Sequence, residues 1–405
     1  MAPVLPGHQL QLLQGGETFF PALVAAIDGS RRDVRMETYI FSTEGAGSLV
    51  AQALERAARR GVSVSLVIDG VGTPALQAAW VKRWREAGVA WRIFLPWGRI
   101  GLLVPSRWRR LHRKLCVVDG EVAFCGGINV LDDHFDPNHG RLAAPRLDFS
   151  VRVTGPLVRD AYAEMMRFWW RLEAVHPTGA PHLPSQWHAL QQAMRSAWPL
   201  DSHPPPTPAT DSATGAQAAL VLRDNLRHRA RIEQAYLAAI RLASREIIIA
   251  NAYFLPGRRL RRALIAAAQR GVRVRLLLQG RYEYFMQYHA ARPVYGRLLA
   301  AGVEIHEYRS SFLHAKVAVV DERWATVGSS NLDPLSLLLA REANVVVRDG
   351  HFASELRKRL VQAMARGGEP VDPAAYASRP LRERLLDRVA FGLMRLGLFL
   401  TGKRY

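Results

Sequence analysis

His112-Arg113-Lys114-Leu115-Cys116-Val117-Val118-Asp119, followed by Gly126-Gly127-Ile128-Asn129, is the stretch on which the reading turns, because it returns as His314-Ala315-Lys316-Val317-Ala318-Val319-Val320-Asp321 followed by Gly328-Ser329-Ser330-Asn331. Each copy offers an imidazole, an ammonium and a carboxamide at the same offsets. Side chains two apart on a strand share a face. Leu115–Val118 and Val317–Val320 read as buried strands, so each His-x-Lys pair falls at a strand's start. A turn at Asp119-Gly120 or Asp321-Glu322 then leads into a second strand. Gly126-Gly127 and Gly328-Ser329 let the backbone approach a ligand closely. Asn129 and Asn331 bring amide donors suited to phosphate oxygens.

Five of the 55 basic residues are lysine, yet lysine stands in both copies. If Lys and Arg were interchangeable, that would happen about once in a hundred, so a compact ammonium is selected. Two imidazoles fit the cleavage of a phosphodiester through a covalent intermediate, one attacking phosphorus and one moving the proton.

The flanking pattern is doubled as well. Helices are expected at 17–29, 44–60 and 76–87, and strands at 34–41, 62–68 and 89–94. The segment Ala53-Leu54 to Gly70 matches Ala263-Leu264 to Gly280. Alternating helix and strand at these lengths indicates a layered α/β domain. A repeat of about half the chain is a duplication rather than a short-period solenoid. The expectation is two α/β/α lobes, at 1–175 and 216–375, meeting at a pseudo-twofold seam around one active site. A Pro-rich linker at 176–215, with a short helix near 185–197, joins them. A basic amphipathic tail follows at 376–405, where Leu381, Leu385, Val389 and Leu393 recur at helical spacing among arginines; it is read as lying in a lipid interface or docked on the body.

The chain has 405 residues and a net charge of +20. That balance suits a polyanionic partner, nucleic acid or an anionic bilayer. The first lobe carries 12 extra residues before its histidine, and the segment 96–110 mixes Trp97 and Trp108 with arginine, which suits a headgroup zone. No apolar run approaches the ~20 residues of a spanning helix. No signal peptide is read at the start. Cys116 and Cys125 read as buried core residues. His134 and His139 alone make a poor metal site, and no metal or other cofactor is expected.

The doubled His-x-Lys-x4-Asp pattern, with its Gly-Gly or Gly-Ser and Asn, resembles the phospholipase D superfamily from about Gly16 to about Val347. Ile249-Ala-Asn-Ala-Tyr-Phe254, the run 325–336 and Glu342-Ala-Asn344 resemble bacterial cardiolipin synthases of the B type. The resemblance implies phosphatidyl transfer from one phosphatidylglycerol, or another phospholipid, to a second through a phosphatidyl-histidine, with release of glycerol. It implies the catalytic set His112, Lys114, Asp119, His314, Lys316 and Asp321. It also implies phosphate contacts from Asn129, Asn331, Gly127 and Ser329, and Asp148 and Glu342 as histidine-orienting acids. Asp119 and Asp321 sit at turns and are read as holding the fold through buried pairs more than touching substrate. Leu335 and Ala340 depart from the family pattern. The expected setting is peripheral, on the cytoplasmic face of the bacterial inner membrane. A hydrolytic phospholipase D or a related nuclease or phosphodiesterase is the alternative, with nucleic acid disfavoured by the Trp-bearing segment.

Overall fold

The computed structural model describes residues 3–96, 108–175, 215–224, 228–282, 285–333 and 340–400. The linker expected at 176–215, all but its last residue, lies outside them. So do residues 97–107 of the Trp-bearing segment, and Leu335. The chain divides into two compact units, one of residues 3–132 and 150–220, the other of 133–149 and 221–405.

In the first unit, strands β1 (Leu5–Gln14), β2 (Asp33–Thr38), β3 (Ser63–Asp69), β4 (Ala90–Phe94), β5 (Lys114–Val118), β6 (Val122–Gly126) and β7 (Phe149–Thr154) alternate with helices α1 (Gly15–Asp28), α2 (Ala46–Arg59), α3 (Ala78–Ala87) and α4 (Leu157–Val175). β2, β3 and β4 run parallel, and β5 joins the other edge of β2 antiparallel, followed by β6 and β7. The parallel strands require crossovers, and α2 and α3 supply them. Both sheet faces are covered, which is why Leu115–Val118 of β5 reads as a continuous apolar run. On one face Phe20, Leu23, Val50, Leu54 and Trp84 pack against Met36, Leu66 and Phe124. On the other, Phe168 and Trp169 of α4 meet Val67, Phe94 and Leu111. Gly88 ends α3 at φ 86°, a conformation that favours glycine.

The second unit repeats this plan. β8 (Ala216–Arg223) leads in, shared between the units by residue number. Then come α5 (Arg231–Leu242), β9 (Glu246–Asn251), α6 (Arg258–Gln269), β10 (Arg273–Gln279), α7 (Phe285–Leu299), β11 (Glu304–Tyr308), β12 (Lys316–Val320), β13 (Trp324–Gly328), β14 (Ala340–Arg348), α8 (Gly350–Gly367) and α9 (Leu381–Leu400). β9, β10 and β11 are parallel, and β12, β13 and β14 add antiparallel from the other edge of β9. Strand for strand this is the order of the first unit, as the duplication requires.

Residues 133–149, placed with the first lobe by sequence order, pack with the second unit. The Ser311 hydroxyl donates to Ala144 O (2.7 Å), Leu147 N donates to Phe312 O (3.0 Å), and His314 N donates to Leu147 O (2.9 Å). Cys116 and Cys125 are buried and not joined by a disulfide. Cys116 lies opposite Phe124 and Cys125 opposite Leu115, so the two thiols leave opposite faces of the sheet.

Candidate active site

Each copy of the motif is built from one strand hairpin. β5 and β12 begin at Lys114 and Lys316, two residues after the histidines. Both ammonium groups turn back onto their own motif. Lys114 Nζ donates to His112 O at 2.7 Å, and Lys316 Nζ donates to His314 O. Lys316 is fully buried and Lys114 nearly so, which makes each a fixed positive charge at a strand's start rather than a solvated surface group. In the first unit the Tyr39 ring supports both groups, its centroid 5.1 Å from that of His112 and 5.3 Å from Lys114 Nζ.

The asparagines follow the second strand of each hairpin. Asn129 Oδ1 accepts from Ile40 N at 3.2 Å, which leaves its NH2 end for a ligand. Asn331 is buried, one residue after Ser330, whose hydroxyl donates to Asn331 O at 3.3 Å. Gly328 faces Asn344 so closely that a Cβ would come within 2.2 Å of that side chain, so only glycine fits. Gly127 is buried, whereas Ser329 in the corresponding place donates its hydroxyl to Glu342 and accepts from Ala343 N at 3.1 Å.

His314 is oriented by Asp148. Its Nδ1 lies 2.6 Å from Asp148 Oδ2, and Asp148 Oδ1 accepts from Phe149 N at 2.8 Å. A carboxylate partner places the proton on Nδ1. Asp148 follows the first motif in the sequence but serves the second, because residues 133–149 belong to the second unit. Asp148 and Glu342 are nonetheless equivalent positions. Each stands two residues before the one, Ser150 or Asn344, that pairs with Gly126 or Gly328. Glu342 is fully buried and bonded to Ser329.

The two motif aspartates are elsewhere. Lys114 and Asp119 lie at opposite ends of β5, about 16 Å apart at ~3.3 Å per residue, and Lys316 and Asp321 bracket β12 in the same way. Asp119 accepts from the amides of Arg31, Arg32 and Asp33 at 2.8–2.9 Å. Asp321 accepts from those of Ser244, Arg245 and Glu246 at 2.7–2.8 Å. Both have φ above 50°, the left-handed region that aspartate tolerates. The geometry corrects their place in the catalytic set. They clamp the chain entering β2 and β9, through backbone amides rather than buried ion pairs.

Two features escaped the sequence reading. Asn251 ends β9 directly opposite Lys316. Its Oδ1 accepts from Leu332 N at 3.1 Å, and its buried Nδ2 meets no hydrogen-bond partner among the described residues. It is thus a further donor beside the second ammonium; the signal was a polar residue closing the apolar run Ile247–Ala250 in register with the motif. The other feature is the middle residue of the first motif. Arg113 points to the opposite face of β5, where it bonds Glu37 and Glu164 (3.2 Å) and lies over the Phe168 ring. Burial alone would lower its pKa, but the charges of Glu37 and Glu164 raise it.

A family model described as "Cardiolipin synthase, PLD-like domain" matches residues 23–143 and 236–364, one copy in each half. Cardiolipin synthase B of Escherichia coli (strain K12) is 38% identical over 389 residues, covering 96% of this chain and 88% of that protein. The chain belongs to the cardiolipin synthase family of phospholipase D-like proteins. Cardiolipin synthase B of Shigella flexneri aligns equally well, at 38% identity with 96% and 88% coverage. A cardiolipin synthase of Geobacillus kaustophilus is 29% identical, covering 96% of this chain and 72% of that one. Among solved structures, a phosphatidylserine synthase of Haemophilus influenzae superposes with TM-score 0.68 at 13% identity, over 98% of this chain and 95% of that one, which shows a shared fold.

Proposed function

We infer that the chain is a cardiolipin synthase that transfers a phosphatidyl group between two phosphatidylglycerol molecules and releases glycerol. One observation carries this reading: a His-Lys-Asn phosphate cradle is repeated in two units of a chain that aligns along almost its whole length with cardiolipin synthases. In this scheme the two units contribute one imidazole each to one phosphorus atom. His112 attacks the phosphorus while His314 protonates the departing glycerol oxygen, so the P–O bond breaks as the P–N bond forms. His314, now neutral, takes the proton from the hydroxyl of a second phosphatidylglycerol. That oxygen attacks phosphorus, and His112 leaves. The Asp148–His314 bond supports the proton-transfer role, because a buried carboxylate stabilises the imidazolium and fixes its tautomer. Lys114, Lys316, Asn129, Asn331 and Asn251 would hold the nonbridging oxygens, where charge is present before and during transfer. Gly127 and Ser329 let the backbone come close. No metal is required by this scheme, since two ammonium groups and an imidazolium would supply the counter-charge.

Among the described residues no helix is long and apolar enough to cross a membrane. A peripheral enzyme on the cytoplasmic face of a bacterial inner membrane fits a lipid substrate and the +20 charge. Wild-type protein given phosphatidylglycerol vesicles should yield cardiolipin and glycerol by mass spectrometry. Phosphatidic acid as the main product would replace transfer with hydrolysis.

A further inference from the structure

We propose that α9 and the arginine-lined groove beside it form the surface by which the second unit sits on an anionic phospholipid bilayer. The choice of occupant rests on the lipid substrate assigned above. α9 is docked on α7 by a mixed face, partly apolar and partly charged. Glu383 is exposed, but the helix's other acid points inward: Asp387 is buried, 2.8 Å from His289 Nδ1 and accepting from Arg379 Nη1 at 2.9 Å. Ala390 is buried beside it, and Phe391 and Met394 pack on the unit's core. That anchoring leaves the leucines outside. Leu381, Leu385, Leu386, Val389, Leu393 and Leu396 are each 40–78% exposed. Single exposed leucines need no explanation, but a stripe of six apolar side chains along a helix, interrupted once by Arg382 in its first turn, marks a contact surface.

The charge pattern selects lipid. At about 100° per residue, Arg384, Arg388 and Arg395 fall on one flank of the leucine stripe, between it and the docked face. On that flank a groove of roughly 750 Å³, part of it open to solvent, runs between α9, α6 and α7. Arg258, Arg261, Arg297 and Arg395 line it over an apolar floor that includes Leu255 and Phe391, and among the described residues no acid lines it. Apolar residues beside arginines are what a helix lying in the headgroup–acyl boundary presents. The groove also adjoins the catalytic loops. Leu255 N donates to Leu332 O at 2.8 Å, one residue from Asn331. A bilayer held here would bring headgroups to the site without removing the lipid from its leaflet.

The test is flotation with vesicles of phosphatidylglycerol and phosphatidylcholine, against pure phosphatidylcholine. Wild-type protein should float only with the anionic vesicles. The triple variant Leu385→Gln/Val389→Gln/Leu393→Gln should lose at least about tenfold in vesicle affinity. The triple variant Arg258→Gln/Arg297→Gln/Arg395→Gln should lose on the order of a hundredfold. The leucine variant should keep its transferase rate on short-chain phosphatidylglycerol dispersed in detergent, where no bilayer is needed. Wild-type inactivity in that detergent assay would count against the enzyme assignment and leave the flotation result to stand alone. Leucine or arginine variants that float like the wild type would overturn the proposal. So would a stripe that proves, by sedimentation, to be buried between two copies of the chain while vesicle binding is unchanged. Should a triple variant fail to fold, Leu393→Trp replaces it. Brominated lipid should quench the fluorescence which that substitution adds, and an added indole that stays unquenched would overturn the proposal equally.

Discussion

The two copies of the motif agree on the face that carries His and Lys and disagree on the face behind it. In the first unit the middle residue is Arg113, buried with Glu37 and paired also with the partly buried Glu164. In the second it is Ala315, and the position matching Glu37 is Ala250, both fully buried. A strand covered on both sides must satisfy each buried charge or carry none. The first copy holds a complete ion cluster and the second has removed both partners. What stays fixed is the His, Lys and Asn of each copy. What varies is structural support, and it varies in matched pairs.

The largest expected effect sharpens the comparison at the orienting acids. Asp148→Asn should lower kcat by about 10⁴-fold with the fold intact, because His314 loses its preferred tautomer and its counter-charge. Steady-state kinetics beside a thermal melt would check it. A wild-type rate would mean that the bond to His314 is incidental. Next comes the supporting face. Arg113→Ala should cost about 3–5 kcal/mol by urea denaturation, since the buried Glu37 loses that guanidinium while Glu164, only partly buried, keeps Arg167 at 3.1 Å. Adding Glu37→Ala, which installs the second copy's alanine pair, should recover part of that loss. If the double variant is no better than the single, the matched-pair reading is wrong.

Lys114→Met and Lys316→Met should each lower kcat by roughly 10²–10³-fold, the usual effect of deleting one donor to a charged oxygen. Unequal losses would measure how far the copies have diverged. The smallest effect belongs to the aspartates. Asp321→Asn should cost about 1–3 kcal/mol and leave the rate per folded molecule nearly unchanged. Burial pushes the Asp321 carboxyl up, but the amides of Glu246, Ser244 and Arg245 outweigh it and hold the group below its ordinary value. Its folded pKa is therefore depressed. The stability it contributes is present above the unfolded value of 3.8 and fades as pH falls through the lower folded one. The gap between wild type and Asp321→Asn should close in strong acid. A rate loss as large as that of Lys316→Met would return Asp321 to the catalytic set.

The duplication was legible in the sequence because the phosphate-facing residues and the apolar strands recur together. Strands expected at 34–41 and 62–68 were found at Asp33–Thr38 and Ser63–Asp69, and the tail's leucine spacing was read correctly as helical. Which way that helix faces was not legible. Leu381, Leu385, Val389 and Leu393 look like a core stripe until Asp387 is seen to hold the other side inward. The Asp148–His314 partnership was hidden too. Sequence order ties Asp148 to His112, and only the path of 133–149 along 311–314 brings it to the other histidine. Asp119 and Asp321 are the reverse lesson. Their constant spacing from the lysines suggested shared chemistry, whereas the length of one strand explains it.

The most direct test of the central claim, that two half-motifs supply one imidazole each to a single phosphorus, is rapid acid-quench trapping with phosphate-labelled phosphatidylglycerol in wild-type, His112→Ala and His314→Ala protein. The expected result is a phosphatidyl group covalently bound to His112 in the wild type, none in His112→Ala, and no cardiolipin from either variant. Cardiolipin formation by either single-histidine variant at a rate near that of the wild type would contradict it.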